Sequence, residues 1–317
     1  MARRRCRPYR VCRQANSSTK RQSENGNPFL HFIYYGRYGP GTSQSVMMTK
    51  HEILQLALRQ SAEDFGCRPE DFFRPEPVIL PAGPRPNGRK DLPLPFACDL
   101  VSYGSNVVAQ TSPEAERAVR TFLSRVPAAH CFETPALYQL NDALAPIGLK
   151  VRHMAEYFLP DPAALREKPS PLPLRLLFPD DFAGLYPDWP NALAKARPEL
   201  DRLAVGAFDH GRLVGLAGCS ADGQDLWQIG VDVLPAFRRQ GLASAMTARL
   251  ALEILARGKV PFYCAAWCNL PSVRNALSCG FFPAWAQLTA RVPEGAASPP
   301  GRHAQVPAAP GNAPTLG

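Results

Sequence analysis

The sequence has no long apolar run: nothing in its 317 residues approaches the roughly 20 apolar residues that cross a bilayer. It also has no apolar secretion signal ahead of its nine cysteines, which is unlike a secreted, disulfide-linked protein. Cys264 and Cys268 have no second Cys or His pair at a spacing usual for zinc. We therefore expect a cytoplasmic protein with free thiols, no bound metal and no membrane association.

Basic residues greatly outnumber acidic ones in the first 46 residues. Nine Lys and Arg side chains there face one acid, Glu24, and this excess accounts for most of the formal net charge of +9. Residues 47–317 carry 27 basic and 26 acidic side chains. The globular part therefore has no nucleic-acid signature, and nucleic acid is not an expected partner unless the basic leader binds it.

Both ends of the chain are predicted to be disordered. Residues 1–47 show no helix or strand period, and residues 291–317 are dominated by Ala, Pro and Gly. Met47 and Met48 stand just before the first strong helix signal, so we favour a true start there, with the leader an artefact of an earlier start. An Arg-rich transit peptide is the alternative, although the leader contains no amphipathic helix.

Helix and strand signals alternate between these ends, on both sides of a Pro-rich segment. Thr49 and Glu52 form a capping box ahead of an apolar helix that Gly66 ends. Further helices are predicted from 112, from 134, over 180–196 with breaks at Pro187 and Pro190, and over 242–256 and 272–278. Strands are predicted at 97–103, 106–111, 149–159, 174–178, 203–208, 213–219, 226–234, 259–266 and 284–290, and residues 74–95 are predicted to be a loop.

This order predicts an α/β protein, of the α+β type with a mixed sheet, that has two folded domains. The predicted divisions are a disordered basic leader (1–47), a smaller N-terminal α/β domain (48–160), a Pro-rich linker (161–173), a C-terminal domain (174–290) and a disordered tail (291–317).

The segment that carries chemical information joins the strand 226–234 to the following helix. A basic turn that contains glycine opens a long helix, so backbone N–H groups and the positive helix end point at one place. Gly241 lets a bulky anion approach the backbone, and Arg238 and Arg239 add positive charge. The segment predicts a diphosphate site; the alternative is an ordinary strand-to-helix turn with solvated arginines.

Two ordered motifs resemble those of the GNAT superfamily of acyl-CoA-dependent N-acyltransferases. Arg238, Gly241 and Ala243 match its pyrophosphate motif, Gln/Arg-x-x-Gly-x-Gly/Ala. Asn269-x-x-Ser272, followed by Cys279-Gly280-Phe281, resembles its Asn-x-x-Ser/Ala … Leu-Gly-Phe segment. For residues 174–290 the resemblance implies a GNAT fold and transfer of an acetyl group from acetyl-CoA, as co-substrate, to a small-molecule or peptide amine.

The resemblance also implies roles for particular residues. Val231 and Val233 would bond the pantetheine arm through their main chains, on a strand that splays from its neighbour. Asn269 and Ser272 would lie beside that arm. The diphosphate would be held by Arg238, Arg239, Gln240, Gly241, Leu242 and Ala243.

This chain departs from the family pattern at the catalytic positions. Relatives often carry a Tyr that protonates the leaving thiolate, but here that position is Ala276. The central strand lacks the usual Glu base and offers Trp227, Gln228 and Asp232. Asp232 is its sole carboxylate, and alternation places it on the face opposite Val231 and Val233 unless a bulge intervenes. Asp232 is therefore the candidate catalytic base, with a purely structural acid as the other interpretation.

These departures keep a second function open, a catalytically silent CoA-binding or structural module. The order of elements in residues 48–160 repeats the order after Leu213, so we interpret this domain as a degenerate GNAT-like half. Its corresponding turn, Thr111-Ser112-Pro113-Glu114, has neither Gly nor Arg and begins acidic, which would repel a diphosphate.

Overall fold

Residues 48–92 and 94–292 are described by the structure, a computed structural model. The predicted disordered leader, 1–47, and nearly all of the predicted tail, 291–317, lie outside the described residues. The helices are α1 (Lys50–Phe65), α2 (Pro113–Arg125), α3 (Thr134–Leu144), α4 (Leu242–Leu255) and α5 (Leu270–Ser278). The strands are β1 (Val78–Pro81), β2 (Cys98–Ser102), β3 (Val108–Thr111), β4 (Lys150–Pro160), β5 (Leu174–Leu177), β6 (Asp201–Asp209), β7 (Arg212–Ser220), β8 (Leu226–Val233), β9 (Val260–Ala266) and β10 (Phe281–Arg291).

The predicted capping box forms at the start of α1. The Thr49 hydroxyl accepts a hydrogen bond from the Glu52 N–H at 3.2 Å, and the Glu52 carboxylate accepts one from the Thr49 N–H at 2.7 Å. Gly66 ends the helix in the left-handed region, with φ of 69°. Both signals were local in sequence, and the prediction of this helix is confirmed.

Two predicted segments differ in the structure. The predicted loop 74–95 contains the short strand β1. Its four residues lie among prolines, which are typical of loops and not of strands. The predicted helix 180–196 forms only a 3₁₀ turn, Pro179–Asp181, followed by turns. Pro187 and Pro190 supply no N–H to a helix, and carboxylates from distant strands hold the segment instead: Asp201, for example, accepts a hydrogen bond from the Ala194 N–H at 3.0 Å.

The ten strands form one mixed sheet in the order β1-β3-β2-β10-β4-β9-β8-β7-β6-β5. The pairs β1–β3 and β8–β9 are parallel, and the others are antiparallel. Helix α4 packs on β6 to β9, whereas α2 and α3 pack on each other near β1, β3 and β4. The fold class predicted from the sequence is therefore confirmed as a mixed α/β protein.

Strands from the N-terminal and C-terminal parts of the chain alternate at the centre of the sheet. Strand β4 lies between β9 and β10, and β10 in turn lies between β4 and β2. The described residues accordingly share one sheet and belong to one compact unit. The division into domains around the linker 161–173, and the interpretation of residues 48–160 as a degenerate GNAT-like half, stay predictions.

None of the described helices is long and apolar enough to cross a membrane. The seven cysteines among the described residues are unpaired. In that same part of the chain, no cluster of His, Cys, Asp and Glu has the arrangement of a metal site.

Candidate active site

Strands β8 and β9 separate part of the way along their length. Their parallel pairing begins at Leu226 with Val260 and ends at Ile229 with Tyr263. Beyond this point β8 continues through residues 230–233, while residues 264–266 of β9 pair with β4 on their other side. We call this V-shaped opening, between residues 230–233 and residues 264–266, the fork.

The main chains of Val231 and Val233 face the fork. On the other edge of β8, the Leu234 N–H donates to the Val214 carbonyl of β7 at 3.0 Å. Because main-chain groups of successive strand residues point to opposite edges, those of Val231 and Val233 point away from β7. The Arg238 Nε donates to the Val233 carbonyl at 2.9 Å, which agrees with this direction.

The turn that follows β8 has the backbone geometry of an anion site. A 3₁₀ turn, Pro235–Phe237, leads into two residues with left-handed conformations, Arg239 with φ of 65° and Gly241 with φ of 86°. Such turns direct successive N–H groups into a concave surface. A Cβ atom built on Gly241 would meet nothing within 4 Å, so the space in front of the backbone is open.

The side chains of this turn are exposed, and α4 begins directly behind them. Arg238, Arg239 and Gln240 are exposed, whereas Leu242 is buried and anchors the helix in the core. The first N–H groups of α4 therefore lie at the surface next to two guanidinium groups. Both charge and backbone geometry favour an anion at this place.

Asn269 and Ser272 meet at the start of α5. Asn269 is the N-cap residue, and its Oδ1 accepts a hydrogen bond from the Ser272 N–H at 3.3 Å. The Ser272 hydroxyl accepts a hydrogen bond from the phenol of Tyr263 at 3.3 Å. These contacts give both residues a structural role in the helix start, and their contact with the CoA arm stays a prediction.

Asp232 lies on the face of β8 opposite to α4, as its position in the strand predicted. Its Oδ2 accepts hydrogen bonds from the Asn191 N–H at 2.8 Å and the Ala192 N–H at 2.9 Å. Its Oδ1 accepts one from the Asn191 side-chain amide at 2.6 Å. The carboxylate thus fastens the 189–193 turn to the sheet, and its role as a catalytic base stays a prediction.

Two glycines make room for the turn that Asp232 holds. A Cβ on Gly230 would lie 1.7 Å from the Asn191 carbonyl oxygen, and one on Gly218 would lie 2.1 Å from the Ala192 carbonyl oxygen. Only glycine allows this approach of two backbones. The 189–193 turn is therefore one wall of the fork on this face.

Three residues near the fork were given no role at the site from the sequence, and one of them, Cys264, was considered only with Cys268 as a zinc pair. Tyr263 belongs to the last β8–β9 pair, and burial raises the pKa of its phenol. The Gln228 side-chain amide donates to the Cys264 sulfur at 3.2 Å, joining the two strands where the fork closes. Burial also raises the pKa of Cys264 to about 11, with nearby Asp91 acting in the same direction. Strand alternation alone would have placed Gln228 on the face of Asp232.

A buried polar cluster lies on the same face of the sheet. The Arg89 Nε forms an ion pair with Asp64 at 2.6 Å, and both side chains are fully buried. The guanidinium lies 5.4 Å from the ring centroid of Tyr157 and 5.5 Å from that of Trp285. These residues connect α1 and residues 84–92 to the centre of the sheet. The ion pair was not predicted because no sequence motif links Arg89 to Asp64.

Comparison with known proteins gives a family match that covers the site. Residues 171–281 match the family model described as the acetyltransferase (GNAT) family. No curated protein matches the chain. Among solved structures, a GNAT-family protein from Novosphingobium aromaticivorans is 20% identical with a TM-score of 0.37, and the match covers 45% of this chain and 66% of that one.

Two other structures are similar to the same extent. A GCN5-related N-acetyltransferase from Kribbella flavida is 18% identical with a TM-score of 0.37, over 49% of this chain and 63% of that one. A GCN5-related N-acetyltransferase-like protein from Streptococcus suis is 20% identical with a TM-score of 0.36, over 49% and 68%. This chain thus spans slightly less than two thirds of the first two structures.

Structural similarity with TM-scores below 0.5 adds nothing to the family match, so the family of residues 171–281 is known from the family model alone. The matched segment, 171–281, contains the fork, the candidate anion-binding turn (residues 235–241) and the start of α5. Residues 171–281 are therefore a segment of the GNAT acetyltransferase family, as the two sequence motifs implied.

Proposed function

We propose that this protein is an N-acetyltransferase that transfers the acetyl group of acetyl-CoA to an amine of a small molecule or peptide. The observation that supports this best is the continuity of the fork with the anion-binding turn on one strand, β8. A ligand with an anionic head and a long polar arm matches that shape. The carbonyl carbon of the thioester and the amine nitrogen of the acceptor then meet at the closed end of the fork.

The residues suited to the CoA moiety are those predicted from the family motifs. The N–H groups from Gly241 to Ala243, with Arg238, Arg239 and Gln240 around them, suit the diphosphate. The main chains of Val231 and Val233 suit the amides of the pantetheine arm, because their N–H and C=O groups point away from β7. Leu242 contributes its N–H only, since its side chain is in the core.

We propose direct attack of the amine on the thioester in a ternary complex. A carbon–nitrogen bond forms, the carbon–sulfur bond breaks, the amine gives up a proton, and the thiolate of CoA gains one. A covalent route through Cys264 is disfavoured, because a thiol with a pKa of about 11 is protonated near neutral pH. The fork would contribute mainly by holding the two reactants in line and by offering main-chain donors to the thioester oxygen.

The reaction needs one group that accepts the proton of the amine and one that returns a proton to the thiolate. Asp232 is the carboxylate of β8, but its three hydrogen bonds to Asn191 and Ala192 favour a bracing role. Ala276 supplies no phenol, so proton return to the thiolate falls to solvent or to a neighbouring group. Tyr263 belongs to the last β8–β9 pair before the fork, and its phenol donates a hydrogen bond to Ser272. It is therefore the first side chain to test as the proton donor.

The proposal is tested by placing a charge in the anion-binding turn. Gly241→Asp should weaken CoA binding by at least about a hundredfold, or about 2.8 kcal/mol, because the carboxylate occupies the diphosphate space and repels it. Gly211→Asp is the matched control. Gly211 has nearly the same conformation, with φ of 84°, and equally open surroundings, but it lies in the β6–β7 hairpin.

The CoA affinity of both variants is measured by calorimetry, and their stability by thermal unfolding. The two variants should lose similar stability, since both place Asp in a left-handed conformation, and only Gly241→Asp should lose CoA. Equal CoA affinity in the two variants would place the diphosphate elsewhere. CoA binding without thiol release from acetyl-CoA, tested on a panel of amines, would favour the silent CoA-binding module instead.

A further inference from the structure

The closed end of the fork is bounded differently on the two faces of the sheet. On the α4 face it is filled by Ile229 and Tyr263, with Met246 of α4 behind them, and each side chain is 3% exposed or less. This face has no space for a further group. An acyl group that reaches the end of the fork therefore extends toward the opposite face.

On that opposite face, Gln228 and Cys264 meet across the end of the fork. Gln228 precedes the last paired residue of β8, and Cys264 follows the last paired residue of β9. The Gln228 Nε2 donates to the Cys264 Sγ at 3.2 Å, so the two side chains bridge the strands where the opening begins. Both are only partly exposed.

The sides of this space are rigid. Gly230, the next residue of β8 on this face, is covered by the backbone of Asn191, which leaves no room even for a Cβ. Beside Cys264, on β4, lies Tyr157, whose ring stacks on Trp285 with a centroid distance of 4.7 Å and an interplanar angle of 12°. Backbone on one side and stacked rings on the other do not yield to a longer ligand.

We infer that the Gln228–Cys264 pair is the floor of the acyl site and restricts the protein to short acyl groups. The inference rests on the proposed function, since it assumes that the CoA arm runs along β8 from the turn at 238–243 toward Ile229. The acyl group is then the part of the ligand that arrives at the floor. Each added methylene would have to displace the Gln228 amide, and such discrimination is worth about tenfold or more per methylene.

The test compares the binding of CoA, acetyl-CoA and butanoyl-CoA to the full chain by calorimetry. The wild-type protein should bind butanoyl-CoA, which has two more methylenes, at least about a hundredfold more weakly than acetyl-CoA. Gln228→Ala should reduce this ratio to about threefold or less, because it removes the floor. Gln228→Leu, which keeps most of the volume without the hydrogen bond, should retain the wild-type ratio.

Controls separate this inference from general damage to the protein. Gln224→Ala removes an exposed Gln four residues earlier, in the β7–β8 connection, and should leave all three affinities unchanged. If Gln228→Ala does not fold, Gln228→Asn shortens the side chain by one methylene and should admit propanoyl-CoA. A folded Gln228→Ala variant with the wild-type ratio would overturn the inference, as would equal affinity of the wild type for acetyl-CoA and butanoyl-CoA.

The same measurements show which of the two proposals has failed. If the wild-type protein binds CoA and the Gln228 variants leave the acyl ratio unchanged, the floor is wrong and the proposed function stands. If the wild-type protein does not bind CoA itself, the proposed function fails, and the inference fails with it.

Discussion

Replacing Asp232 with Asn separates a structural brace from a catalytic base. Asp232 accepts three hydrogen bonds from Asn191 and Ala192, at 2.6 to 2.9 Å. An Asn side chain has the same shape and still accepts through one oxygen. It loses the charge, however, and it directs an NH2 group toward the donors of Asn191.

The size of the effect follows from the number and kind of these bonds. A hydrogen bond to a charged group contributes about 1.5–3 kcal/mol, against about 0.5–1.5 kcal/mol for a neutral one. Asn191 is exposed, so water replaces part of what is lost. We expect Asp232→Asn to lower the free energy of unfolding by about 2 kcal/mol, which corresponds to roughly 4–8 °C in Tm for a domain of this size.

Turnover per folded molecule then distinguishes the two roles. A brace predicts that kcat/KM of the folded variant stays within about threefold of the wild type, whereas loss of a general base costs on the order of 10²–10⁴-fold. Asp180→Asn, which changes an exposed acid in the 3₁₀ turn after β5, is the control. Unchanged Tm together with a hundredfold loss of kcat/KM would refute the bracing role and make Asp232 the base.

Two further changes test the surroundings of the site. Burial raises the pKa of Asp91 to about 6, so its contribution to stability is complete below pH 4 and is lost as the pH rises through 6. Asp91→Asn, measured by chemical denaturation, should therefore be more stable than the wild type at pH 7 but not at pH 4; equal stability at pH 7 would contradict the raised pKa. Gly230→Ala should destabilise the protein by about 1–3 kcal/mol because the new methyl group meets the Asn191 backbone, whereas Gly184→Ala, with nothing within 4 Å of the added atom, should not. Equal stability of the two Ala variants would show that the 189–193 turn does not lie on Gly230.

The features predicted correctly from the sequence depend on short stretches of chain. The capping box that starts α1 spans four residues, and Gly66, which ends the helix, needs only its own backbone conformation. The boundaries of β8 and α4 also lie within a residue of the prediction. An apolar run followed by a turn and a helical period leaves few alternatives.

The failures depend on contacts between distant residues. The 180–196 segment has a helix-like composition, but its N–H groups are bonded by Asp201 and Asp232, which follow later in the chain. The position of β4 between β9 and β10 is equally invisible, because a strand signal says nothing about which strands become its neighbours.

Part of the candidate site could be found from the sequence and part could not. The turn from Arg238 to Ala243 has a spacing that predicts an anion site, and in the structure Gly241 of that turn is left-handed. Tyr263 and the Gln228–Cys264 contact have no such mark. They matter only because β8 and β9 part after Ile229, while residues 264–266 of β9 pair with β4.

The place of β4 in the sheet also determines how late this part of the sheet can form during synthesis. Strand β4 ends at Pro160, whereas both of its neighbours are made later, and β10 begins only at Phe281. At a synthesis rate of about 5–20 residues per second, the strand emerges on the order of ten seconds before its second partner. During that interval its two edges are open to other chains. The fork, whose β9 side is held by β4, is therefore completed only when nearly the whole described chain has left the ribosome.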